Sequence, residues 1–425
     1  MNRFHMNYKY PSLLLSVLFF NVQLFSADPT VKPGIDVLRE RGFDILKGKR
    51  VGLITNATGI TSDLQSTVDV LFNYPGVKLV ALYGPEHGVR GDGDAGKEIN
   101  GFNDARTGLP VYSLYGKTRR PTKEMLQGID VLVYDIQDIG VRSYTYISTM
   151  GLAMEAAAEN GIKFVVLDRP NPLTGERVEG AMLDSKFKSF IGEYPIPYVY
   201  GMTAGELAQM INGEQWLTIN GLSHGAGKCD LTVVTMKGWK RSMWWDETGL
   251  TWVPTSPHIP HSFTTIFAVL TGLLGELGTA NQGVGYTLPF ELVGAPWIDG
   301  YALARYLNNL NMPGVQFRPI SYIPFYKDTT GLRYKGVQIH IIDRVAMNMT
   351  HVQIAILEAL LHLFPDNNIF DRAKPERINS FDKAVGTDDI RRELQNKTSV
   401  EEILKRIDQL KTQFMITREK YLLYK

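Results

Sequence analysis

The sequence predicts an α/β protein, with a Rossmann-like parallel sheet lobe followed by a smaller α+β C-terminal lobe. Three observations predict it. Short β-branched runs recur along the first part of the chain, each ending in a polar cluster and leading into a helical stretch; the runs are apolar at consecutive positions; and the pattern changes beyond about Leu250. A strand buried on one face alternates apolar and polar residues, whereas near-continuous apolar runs belong to a parallel sheet covered by helices on both faces.

Taken in order, Arg3 and Lys9 precede an apolar run, Leu13 to Leu24, that is too short to span a bilayer. With small residues at Ser26 and Ala27 and a polar stop at Asp28-Pro29, residues 1–26 read as a cleaved signal peptide. The mature chain is therefore expected outside the cytoplasm, periplasmic or extracellular, with no stable membrane insertion. The sheet lobe is expected over residues 27–250. Its strands are Val51 to Ile54, ending in Thr55-Asn56; Val77 to Leu82, ending in Gly84-Pro85-Glu86-His87; Val131 to Tyr134, ending in Asp135, Gln137 and Asp138; and Phe164 to Leu167, ending in Asp168-Arg169-Pro170-Asn171. Helices such as Tyr144 to Ala158 alternate with them. Ligands of such sheets bind at the carboxyl ends of the strands, so these ends nominate one crevice. The second lobe, residues 251–425, opens with a Pro- and His-rich stretch, Val253 to His261, and a helix-like run, Phe263 to Leu277. A strand at Val337 to Ile342 and helices at Met349 to Phe364 and Val400 to Phe414 follow.

Composition narrows the function. At 44% hydrophobic and 21% charged, with Lys+Arg 45 against Asp+Glu 44, the chain lacks the basic field that phosphate-backbone binding needs, so nucleic acid is not an expected partner. A single cysteine, Cys229, excludes an internal disulfide framework and a cysteine zinc site, and reads as a packed residue. No cofactor and no metal is expected. The stretch Gly88 to Gly96 is neither a Walker loop nor a dinucleotide fingerprint, and Asp92 with Asp94 alone makes a weak case for a metal.

Three clusters carry candidate chemistry. In Gly84-Pro85-Glu86-His87-Gly88-Val89-Arg90-Gly91, flanking glycines let the backbone turn tightly and present a carboxyl, an imidazole and a guanidinium together. A carboxyl at a buried strand end beside apolar surface keeps its proton to higher pH, as a general acid must. Glu86, with His87 beside it, is the first catalytic candidate, although the spacing equally allows a Glu86–Arg90 ion pair that only closes the loop. The second cluster gathers Asp135, Gln137, Asp138, Arg142, Tyr144 and Tyr146 around a strand-to-helix turn. Asp138 is either the second carboxylate of a glycosidase pair or a support for Arg142, and Asp135 either caps the turn or touches a ligand. The third, Asp168-Arg169-Pro170-Asn171-Pro172 with Glu179 shortly after, is stiffened by its prolines as a binding wall would be. Gly221-Leu222-Ser223-His224-Gly225 also satisfies G-x-S-x-G, but its flanks read as loop, where a nucleophile elbow needs a strand before and a helix after.

From about Gly34 to Lys425 the chain resembles domain-of-unknown-function family 1343, whose characterised members are exo-β-N-acetylmuramidases of the NamZ type, glycoside hydrolase family 171. The resemblance is carried by Gly84-Pro85-Glu86-His87-Gly88, by Tyr134-Asp135-Ile136-Gln137-Asp138 with Arg142, Tyr144, Thr145 and Tyr146, and by Asp168-Arg169-Pro170-Asn171-Pro172. Further matches are Glu179-Gly180, Tyr200-Gly201-Met202-Thr203 with Gly205-Glu206-Leu207, Gly294-Ala295-Pro296-Trp297 and Gly336-Val337-Gln338-Ile339-His340. It implies an active site between the lobes, Glu86 as the leading catalytic group, and release of N-acetylmuramic acid from the non-reducing end of peptidoglycan-derived muropeptides or disaccharides. The lactyl carboxylate of that sugar suits an arginine fork, with Arg90, Arg142 and Arg169 as candidates, and Tyr144 and Tyr146 offer faces and hydroxyls.

The chain departs from the family pattern in the second lobe. Where relatives commonly carry Ser-Pro-Asn-Ile-Pro-Thr-Pro-Glu it reads Ser256-Pro257-His258-Ile259-Pro260-His261-Ser262-Phe263, and where they carry Ser-Glu-Gly-Arg-Gly it reads Asn281-Gln282-Gly283-Val284-Gly285. Glu276 matches, and His258 and Glu276 join the substrate-binding candidates. These departures bear on the sugar and the leaving group. The rivals are a glycosidase of the same fold with another sugar, a carbohydrate esterase using Ser223 with His224 or His340, and a non-catalytic sugar-binding protein.

Overall fold

The consecutive apolar runs become the inner strands of one sheet. In the computed structural model, which describes residues 31–91, 102–223, 227–326 and 331–425, the first lobe contains α1 (Gly34–Glu40), β1 (Arg50–Thr55), α2 (Thr67–Asn73), β2 (Lys78–Gly84), β3 (Phe102–Asn103), β4 (Pro110–Ser113), β5 (Val131–Asp135), α3 (Tyr146–Glu159), β6 (Lys163–Leu167), β7 (Glu179–Met182), β8 (Pro197–Val199), α4 (Ala204–Gly213), β9 (Thr218–Ile219), β10 (Leu222–Ser223) and β11 (Leu231–Val234). The main sheet has seven strands in the order β11-β6-β5-β1-β2-β4-β3, parallel except for the short β3 against β4. Residues 1–26, on which the export expectation rests, lie outside the described residues, as do Asp92, Asp94 and His224. Among the described residues no helix is long and apolar enough to cross a membrane.

Side chains alternate across a strand, and here both faces are covered. On β5, Val131 and Val133 pack with Val51, Leu53, Val165 and Leu167 under α1 and α2. Leu132 and Tyr134 pack with Ile54, Phe164 and Val166 under α3 and α4. Both sets are buried, which is why the strands read as unbroken apolar runs, and truncating Leu132 to alanine would cost about 2–5 kcal/mol. The chain moves outward from β1 through β2 to β4 on one side and from β5 through β6 to β11 on the other. The direction reverses between β1 and β5, so a crevice opens at their carboxyl ends.

The second lobe contains α5 (Thr264–Leu277), β12 (Leu292–Ala295), α6 (Gly300–Asn309), β13 (Val315–Tyr322), β14 (Tyr334–Ile341), α7 (Met349–Leu363), α8 (Pro375–Val385), α9 (Asp389–Gln395), α10 (Val400–Leu410) and α11 (Thr412–Arg418). Its antiparallel sheet runs β12-β14-β13, with the expected Val337 strand in the middle. β13 carries Pro319, which an edge strand tolerates because one side of its ladder needs no N–H. The expected single helix from Val400 to Phe414 is two, broken at Lys411, whose ammonium reaches back to the Val178 carbonyl at 3.0 Å.

The lobes share a core. Ile139, Val141, Leu173, Tyr198 and Val199 of the first pack into the same cluster as α5 and α7 of the second. The C-terminal segment returns to the sheet lobe. The Tyr424 hydroxyl donates to Asp168 Oδ2 at 2.6 Å, Leu423 N donates to Glu206 Oε1 at 2.8 Å, and Arg241 N donates to the Lys425 carbonyl at 3.1 Å. Asp168 also accepts from the Thr203 hydroxyl and Gly205 N, and Thr203 with Glu206 forms the capping box that starts α4.

Candidate active site

Glu86 leaves the end of β2 on a turn closed by Gly88 N donating to the Pro85 carbonyl at 3.0 Å. His87, half-buried at the third position of this turn, has φ 72°, a left-handed conformation that costs a residue with a Cβ energy and that surrounding contacts must hold. Glu86 is half-buried and meets hydroxyls. Thr145 Oγ1 donates to its Oε2 at 3.1 Å, and the Tyr115 hydroxyl, which follows β4, lies close enough to feel its charge. Burial, with the charge of Glu86 second, pushes the Tyr115 phenol up to about 12, so it remains a donor.

Behind Glu86 stand two phenols from the start of α3. The Tyr144 and Tyr146 rings meet edge to face at 4.8 Å. The Tyr144 hydroxyl donates to Thr255 Oγ1 at 2.9 Å and that of Tyr146 to the Thr255 carbonyl at 2.5 Å, and Asn56 at the end of β1 hydrogen-bonds to Tyr146. These contacts bring the segment ahead of the Thr264–Leu277 helix onto the crevice. Tyr146 feels the charge of Glu86, and Tyr144 that of Asp138.

Asp138 is buried. Its Oδ1 accepts from the Tyr200 hydroxyl at 2.6 Å and Gly140 N at 2.7 Å, while Oδ2 has no partner. Burial pushes this carboxyl up to about 7, against the pull of Tyr200 and the backbone N–H groups. Asp138 thus keeps a proton near neutral pH, and it does not hold Arg142.

Models of the N-terminal and C-terminal parts of the exo-β-N-acetylmuramidase NamZ match residues 51–263 and 269–424. The peptidoglycan β-N-acetylmuramidase NamZ of Bacillus subtilis (strain 168) is 46% identical over 396 residues, 93% of this chain and 92% of its own. Two crystal structures of DUF1343 family proteins from Bacteroides fragilis are similar, one with TM-score 0.87 at 50% identity and one with TM-score 0.73 at 30% identity, each covering 93% of this chain and 99% of its own. The chain belongs to the NamZ family.

Against this NamZ-type frame, most of the remaining sequence candidates turn out to hold the walls of the crevice. Asp135 is fully buried, receives Arg169 Nε at 2.6 Å and Nη2 at 2.9 Å, and accepts the Thr67 hydroxyl at 2.6 Å. Asp135 and Arg169 therefore spend their charges on each other. Arg90 pairs with Asp104 at 2.9 Å rather than with Glu86. Arg142 is wholly buried, and its guanidinium donates to the carbonyls of Ala181, Ile196, Ala384 and Val385, joining β7 and the β8 approach to the end of α8. Burial lowers its pKa to about 10, and the helix C-terminus favours the cation it receives. None of these arginines is available as a lactyl clamp.

Gln137 donates to the Asp138 and Pro170 carbonyls, and Asn171 donates to the Met202 carbonyl and accepts from Leu173 N. Glu179 pairs with Arg177 and accepts from Thr350 N at the start of α7, so it fastens the lobes together. Glu276, raised by burial against the pull of Arg377, faces Tyr198. His258 Nε2 lies 2.5 Å from the Tyr326 hydroxyl, and Phe325 N donates to Gly285 O. The two segments that depart from the family pattern therefore converge on one rim of the second lobe.

Ser223 lies on a two-residue β-hairpin, not on a strand-to-helix elbow. Asn220 (φ 51°) and Gly221 (φ 76°) are both left-handed, as the tight hairpin turn requires, and β10 pairs back onto β9. The esterase reading loses its structural basis there. Cys229 is buried and its thiol pushed up to about 12 by burial, as a packed residue should be. Sequence reasoning missed Tyr115 and Thr255, and it named Asn56 as a strand end and Thr145 as a family match without giving either a role. Tyr115 follows a strand end, and the rule that nominated Glu86 would have found it had β4 been recognised.

Proposed function

We propose that this protein is an exo-acting β-N-acetylmuramidase that hydrolyses the bond to a non-reducing terminal N-acetylmuramic acid in peptidoglycan fragments, with Glu86 as the general acid. Membership of the NamZ family supports the reaction class. The observation that carries the assignment to Glu86 is its company: one strand away from the sheet's switch point it meets the hydroxyls of Tyr115 and Thr145, whereas Asp135 and Glu179 are tied to arginines. A carboxyl that gives its proton to a glycosidic oxygen becomes a carboxylate, and two aimed hydroxyls stabilise that charge as it forms. Asp138, buried under Tyr200, is read as a positioning group behind Tyr144 rather than as the second carboxylate at the bond. Export from the cytoplasm belongs to the same reading, supported by Arg3, Lys9 and the apolar run ahead of Ser26-Ala27.

The test is sugar release from a chromogenic β-N-acetylmuramide and from the N-acetylmuramic acid–N-acetylglucosamine disaccharide. Glu86→Gln is expected to lose activity by about 10²–10⁴-fold with its circular dichroism unchanged. Undiminished release by Glu86→Gln would remove Glu86 from the chemistry. No release by the wild-type protein would remove the muramidase reading and favour a sugar-binding role.

A further inference from the structure

N-acetylmuramic acid differs from N-acetylglucosamine by one lactyl ether, whose carboxylate is the only charge on the sugar. A site that selects it needs a cation near the catalytic carboxyl that no protein acid already holds. Arg90 and Arg169 are bound to carboxylates and Arg142 is buried among carbonyls. The loop Tyr115-Gly116-Lys117-Thr118-Arg119-Arg120-Pro121, leading away from β4, offers another.

We infer that Arg119 forms the carboxylate-recognising subsite of this enzyme and sets its preference for N-acetylmuramic over N-acetylglucosamine residues; the inference rests on the muramidase reading above. Arg119 is exposed, and among the described residues no carboxylate lies within ion-pair distance of it. Its Cζ stands 4.6 Å from the centroid of the Phe190 ring, and that ring lies 6.1 Å from the ring of Tyr115, whose hydroxyl lies beside Glu86. One short chain of contacts therefore runs from the guanidinium to the catalytic carboxyl, and the charge of Arg119 is felt at the Tyr115 hydroxyl.

The guanidinium rests on one aromatic face, and the loop that carries it is anchored. Phe190 is 9% exposed and so forms a fixed platform, and the neighbouring Arg120 pins the loop to α3 through Glu159 at 2.5 Å. An arginine that lies on an aromatic ring keeps its N–H edge for a ligand, and that edge matches a carboxylate with two parallel bonds, which a lysine cannot copy. Because the rotamer is already restricted, little entropy is lost when the sugar binds.

The experiment compares kcat and KM for β-N-acetylmuramide and β-N-acetylglucosaminide carrying the same leaving group, in wild-type protein, Arg119→Met and Arg119→Lys. Arg119→Met should lose about ten- to a hundredfold in kcat/KM on the muramide, mostly through KM, with the glucosaminide unchanged. Arg119→Lys should recover part of the loss. An equal loss on both sugars, or no loss on the muramide, overturns the assignment. A second arm measures binding of free N-acetylmuramic acid and N-acetylglucosamine by saturation-transfer NMR in the same proteins. If the wild-type protein releases neither sugar, the muramidase reading fails. The carboxylate subsite then stands only if the wild-type protein prefers free N-acetylmuramic acid and Arg119→Met does not, and it falls on any other binding result.

Discussion

Asp138→Asn should reverse part of the pH dependence of stability. In the folded protein, burial under Tyr200 moves this carboxyl from 3.8 to about 7, and in the unfolded chain it ionises near its ordinary value. Below about pH 4 both states carry the proton and burial costs no ionisation. As pH rises the unfolded carboxyl ionises first, so the folded state loses stability progressively until pH passes 7, where the loss amounts to about 4 kcal/mol. Asparagine keeps the Oδ1 acceptor used by Tyr200 and Gly140 and cannot ionise. Its amide occupies the place of Oδ2, which has no partner, at a pH-independent cost of about 1–3 kcal/mol. Urea unfolding of both proteins at pH 4.5, 6 and 8, taken as a difference at each pH, cancels every other titrating group. The variant should be the weaker at pH 4.5 and gain on the wild type by a few kcal/mol by pH 8. A difference that stays flat would show that Asp138 is ionised in the folded protein and refute the argument from burial.

Gly386→Ala should lower stability by on the order of 1–3 kcal/mol in a thermal melt, because φ there is 89° and a Cβ would stand 2.4 Å from Arg142 Nη2; an unshifted melt would mean that Arg142 is not fixed. Tyr115→Phe should cut kcat/KM on a muramide about tenfold through loss of one hydroxyl on Glu86, with little change in melting temperature since Tyr115 is half-buried; full activity would remove it from the site. Tyr424→Phe should destabilise by about 1–3 kcal/mol, and more at pH 8 than at pH 5, since the lost bond favours the ionised form of Asp168, whose carboxyl burial pushes up to about 6. A deficit that does not grow with pH would show that this bond does not depend on the charge of Asp168.

The inner strands were legible because a sheet covered on both faces needs apolar residues at consecutive positions, and Val131 to Tyr134 carry that pattern without interruption. β4 was not, being short and opened by Pro110, so the strand end that delivers Tyr115 went uncounted. β13 was hidden by Pro319, harmless only because its edge position cannot be seen in the sequence. Around the crevice, spacing singled out Glu86, Tyr144 and Tyr146, which the fold brings together, but not the partners that the arginines take. Local sequence gives the charge of a guanidinium and not its destination: Arg142 looks like a ligand clamp, yet two of its acceptors, Ala384 and Val385, lie more than two hundred positions away. Arg119 drew no notice because its partner is the ring of Phe190, which no charge pattern announces.

The return of the C-terminal segment to the sheet lobe constrains how this protein can be made. Asp168 and Glu206 are buried within the first lobe, yet Tyr424 and Leu423, which satisfy them, leave the ribosome 256 and 217 positions later. Until then each carboxyl lacks one of its native donors, so the lobe can collapse around its strands during synthesis but cannot reach its final state. Cutting the chain between the two family segments, in the stretch from 263 to 269, would accordingly not yield two independent domains. The first piece would keep its sheet and lose the donors that lock the loop beyond β6, the same loop whose Arg169 braces the crevice wall.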